Sequence, residues 1–332
     1  MPKVLVSILS DHIIPNYLFI KEMAGLYDEL LFVSTEYVES KGIGVHLEKT
    51  LKLEAGSVSR VLVDNDNYQK IFESLCNLIH SSENEYIVNL TGGTKAMSIA
   101  VFDYFRKFDS HFVYIPIGTN TYYDLASKES HNLKYRVELN EYFSLYGLHF
   151  QKEENFICDK STTLAFFNKL KKRNFYLSNE IYNSKSQDSP ELRRYYSGAW
   201  FEEYTYYRIK DDYSLPDGAI AMSLKIFRED SATNDNEIDV AFVFQNVLYT
   251  VECKVSMYGY GKEPQKVIED YMYKIAAVSK DFGLHVNSYL FTLHKMNKLS
   301  EQSLANVYKR MRILGIRDLI DGDKLSENKI KL

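Results

Sequence analysis

The chain has few cysteines, and their positions exclude two kinds of stabilised scaffold. Among 332 residues there are three, Cys76, Cys158 and Cys253, an odd number spread far apart. This spacing fits neither a disulfide framework nor the paired ligands of a structural zinc site. We therefore interpret all three as buried apolar thiols.

Long apolar runs are also missing from the sequence. No stretch approaches the eighteen or so uncharged apolar residues that a membrane-spanning helix needs. The first apolar run, MPKVLVSILSDH, meets Asp11 too soon for a secretory signal peptide. We expect a cytoplasmic protein with no membrane partner.

An excess of positive charge is absent as well. Lysine and arginine number 40 against 45 aspartates and glutamates, a net charge of −5. A protein that covers duplex DNA is normally basic, so the overall charge does not indicate one. The 45% hydrophobic content is instead that of a globular protein with a sizeable core, and the length allows two domains.

The first 140 residues alternate between short apolar runs and amphipathic segments. Such alternation predicts an α/β domain whose parallel sheet is covered by helices on both faces. The predicted strands are 3–9, 29–34, 60–63 and 86–90, and the predicted helices are 15–26, 35–51, 68–79 and 94–105. Further strands are predicted at 111–117, 121–125 and 134–139, with antiparallel pairs at one edge.

Two turns of this domain carry polar and glycine residues where a parallel sheet binds ligands, outside the carboxyl ends of its strands. They are SDHIIPN at 10–16 and TGGTK at 91–95. Gly92 and Gly93 permit close backbone approach, and the amides of the following helix face an anion, so the second turn is a candidate phosphate site. Its other polar members are Thr91, Thr94 and Lys95. It matches neither the Walker pattern nor the dinucleotide fingerprint. The alternative is that Thr91 caps the helix and the two glycines only turn the chain.

Charged residues recur on a predicted hairpin in the second half of the chain. Segments 238–244 and 247–255 are β-branched and aromatic, and the polar pair 245–246 joins them. Alternation along a strand places Glu252 and Lys254 on one face, and the short turn sets Asp239 roughly opposite Glu252. Carboxylate oxygens suit Mg²⁺ or Mn²⁺, and a neighbouring lysine stabilises developing negative charge, as metal-assisted phosphodiester hydrolysis requires. A solvated strand face with a cross-strand ion pair is the alternative.

The pattern of an acid, a hairpin and then Glu-x-Lys resembles the PD-(D/E)XK nuclease superfamily. The resemblance implies catalytic roles for Asp239, Glu252 and Lys254. It also implies a glutamate on the preceding helix, where GAWFEEY offers Glu202 and Glu203, and Glu202 fits the usual position better. We therefore expect catalytic residues Asp239, Glu252, Lys254 and Glu202, with Asp239, Glu252 and Glu202 as ligands of Mn²⁺ or Mg²⁺. The order helix, hairpin, helix, strand is similar to the restriction-endonuclease-like α/β/α core.

Lys274, on the helix that follows the hairpin, is open to two interpretations. It either contacts a substrate phosphate or is a solvated lysine.

The first domain resembles a second family. SDHxxPN after the first strand and NLTGGTKAMS after the fourth look like a CRISPR-associated Rossmann-fold (CARF) sensor domain, which binds cyclic oligoadenylates. The resemblance implies a homodimer with the ring across its two-fold axis, and cyclic tetra-adenylate is the expected activator. The residues that would face the ring are Ser10, Asp11, Asn16, Thr91, Gly92, Gly93, Thr94 and Lys95.

Together these features predict a CARF domain at 1–140, a connector at 141–190 and a PD-(D/E)XK nuclease domain at 191–332. The connector is expected to hold a helix near 164–170 and a polar break near 184–191. The expected function is that of a cyclic-oligoadenylate-activated nuclease of type III CRISPR defence, acting on single-stranded DNA or RNA. Single strands are favoured because several tyrosines could stack on unpaired bases, although core packing also explains those on the helix. These tyrosines are Tyr204, Tyr206, Tyr207, Tyr258 and Tyr260. Two alternatives are a ligand-gated nucleic-acid-binding regulator and a restriction- or repair-type endonuclease or nickase.

Overall fold

The computed structural model describes residues 1–54, 56–78, 83–152, 156–176, 189–229, 231, 233, 236–257, 263–283 and 285–332. These residues form two compact units, Met1–Leu148 and His149–Leu332. Outside the described residues lie Tyr258 and Tyr260, positions 184–188 of the expected polar break and the first residues of the turn before the hairpin.

The first unit contains a sheet of seven described strands in the order β3-β2-β1-β4-β5-β6-β7. The strands are β1 (Lys3–Ile8), β2 (Glu29–Ser34), β3 (Val58–Leu62), β4 (Glu85–Asn89), β5 (Asp109–Tyr114), β6 (Thr121–Asp124) and β7 (Ser130–Asn132). The helices are α1 (Ile14–Glu22), α2 (Glu36–Ser40), α3 (Ile43–Leu51), α4 (Tyr68–Cys76), α5 (Lys95–Phe105) and α6 (Leu139–Ser144).

Strand β1 lies inside this sheet, between β2 and β4. It pairs in parallel with both β2 and β4, so the chain winds outward on each side of it. Leu5, Val6 and Ile8 are fully buried, as expected for a strand covered on both faces. The predicted parallel sheet with antiparallel strands at one edge is confirmed, since β5–β6 and β6–β7 are antiparallel. The strand order reverses between β1 and β4, and the loops after these two strands therefore flank the switch point.

The strand predicted at 134–139 is wrong. The edge strand is Ser130–Asn132, and helix α6 already begins at Leu139. The backbone amides of Lys134 and Tyr135 donate to the Glu22 carboxylate at 2.8 and 3.1 Å. Because a side chain on α1 satisfies these donors, the segment needs no neighbouring strand.

The second unit holds a sheet of six described strands in the order β13-β12-β11-β10-β9-β8. The strands are β8 (Leu148–Lys152), β9 (Ile220–Arg228), β10 (Asn236–Phe244), β11 (Val247–Lys254), β12 (Val286–Thr292) and β13 (Ile316–Ile320). The helices are α7 (Lys160–Lys172), α8 (Pro190–Arg194), α9 (Trp200–Tyr213), α10 (Pro264–Ser279), α11 (Glu301–Leu314) and α12 (Gly322–Leu325). The helix expected at 164–170 is thus part of α7.

The predicted hairpin is confirmed as β10–β11. The two strands pair antiparallel from Val240–Val251 to Phe244–Val247. Gln245 and Asn246 both have positive φ, 54° and 63°, which is the backbone of a tight two-residue hairpin turn. Strand β11 also pairs in parallel with β12, so the hairpin is central rather than at an edge.

Two apolar layers cover the second sheet. On one face α9 contributes Trp200, Phe201 and Tyr204, which cluster with Val251 and Cys253. On the other face α10 and α11 pack Met272 and Val307 against Leu290 and Leu319. Tyr204 and Tyr206 are buried, so the helical tyrosines with those numbers serve the core rather than base stacking. This layered α/β/α arrangement places the β11 face that carries Glu252 beneath α10.

Two expectations from composition can be compared with the fold. Cys253 is buried, but Cys76 is exposed and Cys158 is half-buried, so the interpretation of all three as buried thiols is wrong. Among the described residues no helix is long and apolar enough to cross a membrane.

Candidate functional site

The two polar turns of the first unit meet at Gly92. A Cβ built on this residue would lie 1.9 Å from the Ile8 carbonyl oxygen and 3.4 Å from Ser10 Oγ. Gly93 has φ of 74°, and a Cβ there would lie 2.6 Å from Ile8 Cγ2. The turn after β4 therefore packs its backbone against the end of β1, which only glycine permits.

Neutral buried polar groups line the carboxyl ends of the three central strands. Asn16 donates from Nδ2 to Ser7 Oγ and the Ile8 carbonyl, both at 2.8 Å. Its Oδ1 is buried and has no hydrogen-bond partner among the described residues, and the same holds for Ser34 Oγ and Asn89 Nδ2. Buried polar atoms of this kind normally have partners, so the sheet edge suits a polar ligand. Ser34 and Asn89 were not predicted, although Asn89 begins the NLTGGTK segment.

The hydroxyl groups of the second turn hold the turn itself. Thr91 donates through Oγ1 to Asn89 Oδ1 at 2.6 Å and accepts from the Ile115 amide at 2.9 Å. Thr94 caps α5 by accepting from the Met97 amide at 3.2 Å. The cap is therefore Thr94, not Thr91 as the alternative interpretation supposed.

The carboxyl-terminal edge of strands β1, β2 and β4, with the turns that follow β1 and β4, is called the ligand edge below. Its charges come from two lysines and one aspartate. Lys95 is exposed at the first turn of α5. Asp11 accepts from Lys41 Nζ at 2.9 Å and from the Tyr37 hydroxyl at 3.3 Å, and both ionic side chains are nearly half exposed. Lys41 was not predicted, because its link to Asp11 spans thirty residues and follows no local pattern.

In the second unit the hairpin brings three predicted side chains together. Lys254 Nζ lies 2.7 Å from Glu252 Oε1 and 3.1 Å from Asp239 Oδ2. Asp239 Oδ2 also accepts from the Cys253 amide at 2.7 Å. Burial by itself lowers the pKa of the Lys254 ammonium, but the two carboxylates more than offset this and the net pKa is raised. Lys254 is therefore fully charged at neutral pH.

Lys274, one of the residues with two interpretations, contacts the same cluster. Its Nζ donates to both carboxylate oxygens of Glu252, at 2.8 and 2.9 Å. The Glu252 side chain is 5% exposed and that of Lys274 is 41% exposed. Lys274 is therefore an ion-paired residue and not simply a solvated one.

The structure separates the two adjacent glutamates of α9. Glu202 accepts from Ser223 Oγ at 2.8 Å, and burial, followed by the charge of Asp239, raises the pKa of its carboxyl to about 7. Glu203 points elsewhere, since it accepts from the amides of Ile157 and Cys158 and from Thr163 Oγ1. Electrostatics thus couple Glu202 to Asp239, while Glu203 satisfies backbone donors.

A cleft of about 190 Å³ opens where α9 meets strands β9 and β10. It is lined by Arg194, Glu202, Ser223, Lys225, Glu237, Ile238 and Asp239. Sequence reasoning missed Ser223 and Lys225 because it did not predict β9. Acidic and basic side chains share this cleft, which suits a cation and a phosphate together.

Among the described residues no group of three His, Cys, Asp or Glu side chains is arranged as a metal site. Glu252 is engaged by two ammonium groups, whereas Glu202 and Asp239 share the cleft. The raised pKa of Glu202 reflects burial and a neighbouring carboxylate, both of which a divalent cation would relieve. The carboxylate oxygens of Glu202 and Asp239, which line one cleft, are donors of the type that Mg²⁺ and Mn²⁺ prefer.

Two family models match the chain, one in each unit. Residues 4–142 match the Card1 CARF domain, and residues 189–330 match the Card1-like endonuclease domain. The chain combines a Card1 CARF domain with a Card1-like endonuclease domain. Its first unit is accordingly a CARF domain and its second an endonuclease domain, which confirms the two resemblances and the predicted fold class.

Solved structures share this architecture. Can2 from Sulfobacillus thermosulfidooxidans in complex with cyclic tetra-adenylate superposes with a TM-score of 0.75 at 20% identity, covering 97% of each chain. Protein VC1899 from Vibrio cholerae gives 0.79 at 15% identity, covering 97% of this chain and 95% of that one. A type III CRISPR defence DNA nuclease activated by cyclic oligoadenylate gives 0.62 at 16% identity, and 88% of this chain matches 45% of it. At these identities the likeness concerns the fold, and no curated protein sequence matches the chain.

Proposed function

We propose that this Card1-like protein is a metal-dependent nuclease of type III CRISPR defence that cyclic tetra-adenylate activates. The proposed substrate is single-stranded DNA, with single-stranded RNA as a further substrate class. The observation that carries the proposal is the half-buried cluster of Asp239, Glu252 and Lys254 in the endonuclease domain, with Glu202 facing the same cleft as Asp239.

Residues Asp239 and Glu202 are the proposed direct cation ligands, and Glu252 completes the set. A divalent cation bound there would polarise the phosphodiester and activate the attacking water. Lys254 holds the carboxylates of Asp239 and Glu252 together and places a positive charge where the phosphate becomes more negative during attack. In the metal-free protein the pKa of the Glu202 carboxyl is raised to about 7, so binding of the cation at neutral pH would release a proton from this group.

Cyclic tetra-adenylate is the proposed activator because the related Can2 structure holds it and because the ligand edge is built for an anion. Helix α5 begins at this edge with Lys95, and the amides at a helix N-terminus favour an anion. A ring with an even number of phosphates repeats about a two-fold axis, so two chains would present identical sites to it. The apolar side chains of Ile99 and Phe102 on α5 are 57% and 36% exposed, which supports a homodimer contact.

The proposal is tested by cleavage of labelled single-stranded and duplex oligonucleotides with Mn²⁺, Mg²⁺ or chelator, each with and without cyclic tetra-adenylate. We expect cutting only with metal and activator, and faster cutting of single strands. Cyclic hexa-adenylate and ATP serve as activator controls. Faster cutting of duplexes would contradict the substrate class, and full activity in chelator would contradict the metal.

The activator model is tested separately by calorimetry. We expect one ring per two chains, with the Lys95→Ala variant losing most of the affinity and the Lys134→Ala variant, an exposed lysine of the same domain, keeping it. One ring per chain would contradict the shared site.

One observation favours a second function, ligand-gated binding of nucleic acid without cleavage. The charges of Asp239 and Glu252 are already balanced by Lys254 and Lys274 without any metal. A non-cleaving protein would bind oligonucleotides only with the activator and would leave them intact in Mn²⁺.

A further inference from the structure

Lys254 and Lys274 contact the same carboxylate but differ in how their donors are used. Lys254 Nζ lies within hydrogen-bond distance of Glu252 Oε1, Asp239 Oδ2 and the Cys253 carbonyl, at 2.7, 3.1 and 3.0 Å. An ammonium has three donors, so this lysine is saturated by the protein. Lys274 uses two donors on Glu252, and within the described residues its third has no acceptor.

The two lysine side chains also differ in how far they are exposed to solvent. The side chain of Lys254 is 24% exposed and that of Lys274 is 41% exposed, while Glu252 beneath them is 5% exposed. Of the two ammonium groups that contact Glu252, that of Lys274 is therefore the more accessible to a phosphate in solvent.

The balance of charge in the cluster explains why Lys274 is held at Glu252. Asp239 and Glu252 carry two negative charges, and Lys254 and Lys274 carry two positive ones, so the cluster is neutral as it stands. A divalent cation brought to Glu252 would leave an excess of positive charge, which repels the Lys274 ammonium. Ionised Glu202 and one substrate phosphodiester together would supply the two negative charges that balance the cation.

We propose that Lys274 exchanges partners: it holds Glu252 in the metal-free protein and contacts a phosphodiester oxygen of the nucleic acid when Glu252 ligates the cation. The inference rests on the proposed function. Lysine suits the exchange, because its compact charge on a flexible stem can move between two acceptors without a fixed geometry. Metal and nucleic acid would then bind with positive coupling. The cation would release Lys274 from Glu252 to contact the phosphodiester, and the phosphodiester would draw the Lys274 ammonium away from the cation.

The first test measures Mn²⁺ affinity by calorimetry in the full-length protein with cyclic tetra-adenylate present throughout. Removal of the competing ammonium in Lys274→Met should tighten Mn²⁺ binding by about fivefold or more. Lys274→Arg should stay near the wild type. Lys266→Met, which removes an exposed charge from the same helix, should change the affinity by less than about twofold. A merely structural lysine would give the opposite sign, because its loss would disorder Glu252 and weaken metal binding.

The second test measures binding of a phosphorothioate-linked oligothymidylate to the same proteins. With Mn²⁺ present, Lys274→Met should bind the oligonucleotide about tenfold more weakly than the wild type, and in chelator the two should bind alike. Unchanged or weaker Mn²⁺ affinity in Lys274→Met overturns the exchange, and so does equal oligonucleotide affinity with Mn²⁺ present.

Glu252→Gln separates the two possible failures. If the wild type binds no Mn²⁺, the metal assignment and the exchange both fail. If Glu252→Gln loses Mn²⁺ while Lys274→Met matches the wild type, the metal assignment stands and only the exchange is wrong.

Discussion

The ligand edge of the CARF domain and the hairpin face of the endonuclease domain are built in opposite ways. The ligand edge uses glycine backbone and neutral buried groups such as Asn16 and Asn89, some of whose polar atoms have no partner among the described residues. The hairpin face, which carries Asp239, Glu252 and Lys254, uses formal charges instead. These charges are paired with one another and with Lys274 of α10.

The difference follows from what each region has to do. A neutral donor or acceptor that is buried without a partner costs about 1–3 kcal/mol, and a bound ligand would remove this cost. An isolated buried charge costs far more, and the charges of the second region are held in ion pairs, which in the proposed function a cation and a substrate would replace. The first region is therefore sensitive to shape, and the second is sensitive to charge.

The largest expected effect tests the charged region. Glu252→Gln keeps the shape of the side chain but removes its charge, and we expect cleavage to fall by about a thousandfold or more because charge stabilisation in a site of this kind is worth several kcal/mol. Single-turnover cleavage with Mn²⁺ and activator measures it.

Glu269→Gln on α10 is the matched control and should cut at the wild-type rate. Activator affinity should be unchanged in both variants. Wild-type cleavage by Glu252→Gln would remove Glu252 from the catalytic set.

The second prediction tests shape at the ligand edge. Gly92→Ala introduces a methyl group 1.9 Å from the Ile8 carbonyl oxygen, so the turn must move away from β1. We expect activator affinity to fall by about a hundredfold, since a displacement of about 1 Å disrupts several contacts at once. Calorimetry with cyclic tetra-adenylate measures the loss.

Gly25→Ala is the control, because no atom lies within 4 Å of a Cβ there, even though its φ of 81° is positive and that of Gly92 is not. Both variants should retain Mn²⁺ binding. If Gly92→Ala binds the activator normally, the close approach to Ile8 has no role in recognition.

A third, smaller effect concerns stability and pH. The pKa of Glu202 is raised from 4.5 to about 7 by burial and by Asp239, so the folded state favours the protonated carboxyl. The resulting stability is present below pH 4.5 and is lost as the pH rises through 7. Glu202→Gln, which stays neutral, should therefore stabilise the metal-free protein at pH 8 by on the order of 1 kcal/mol and have little effect at pH 5.

Thermal unfolding in chelator at the two pH values measures this effect, with Glu269→Gln as the surface control. Saturating Mn²⁺ should reverse the order at pH 8, because only the carboxylate binds the cation. Equal melting temperatures for Glu202→Gln and the wild type at pH 8 would show that ionised Glu202 is not destabilising.

The smallest expected effect lies at the ligand edge again. Asp11 is paired with Lys41 in an exposed contact, so Asp11→Asn should change activator affinity by less than about threefold. Titration of the activator at two salt concentrations measures it. A loss of about tenfold or more would mean that Asp11 contacts the ligand directly, as the sequence resemblance implies.

Local patterns in the sequence predicted much of this architecture. Alternation of side chains and a two-residue turn were enough to place Asp239 opposite Glu252, because the period of a strand is two and a tight turn leaves little freedom of register. Continuous apolar runs predicted the parallel sheet, and the glycines of TGGTK marked the turn after β4.

The strand at 134–139 was mispredicted and β9 was missed for two different reasons. The first segment is satisfied by Glu22, more than 100 residues earlier in the chain, and no local signal shows this. Strand β9 includes Ser223 with a φ of 49°, which interrupts the regular alternation that reveals a strand.

The sequence by itself determined which residue types meet on the hairpin and at the glycine turn, because those neighbours are set by strand period and turn length. Only the tertiary structure decided that Glu202, and not Glu203, faces Asp239 and that Lys274 pairs with Glu252. It also decided that Gly92 lies against Ile8. Each of these contacts joins elements distant in sequence, and its geometry depends on how helices pack on the sheets rather than on any local pattern.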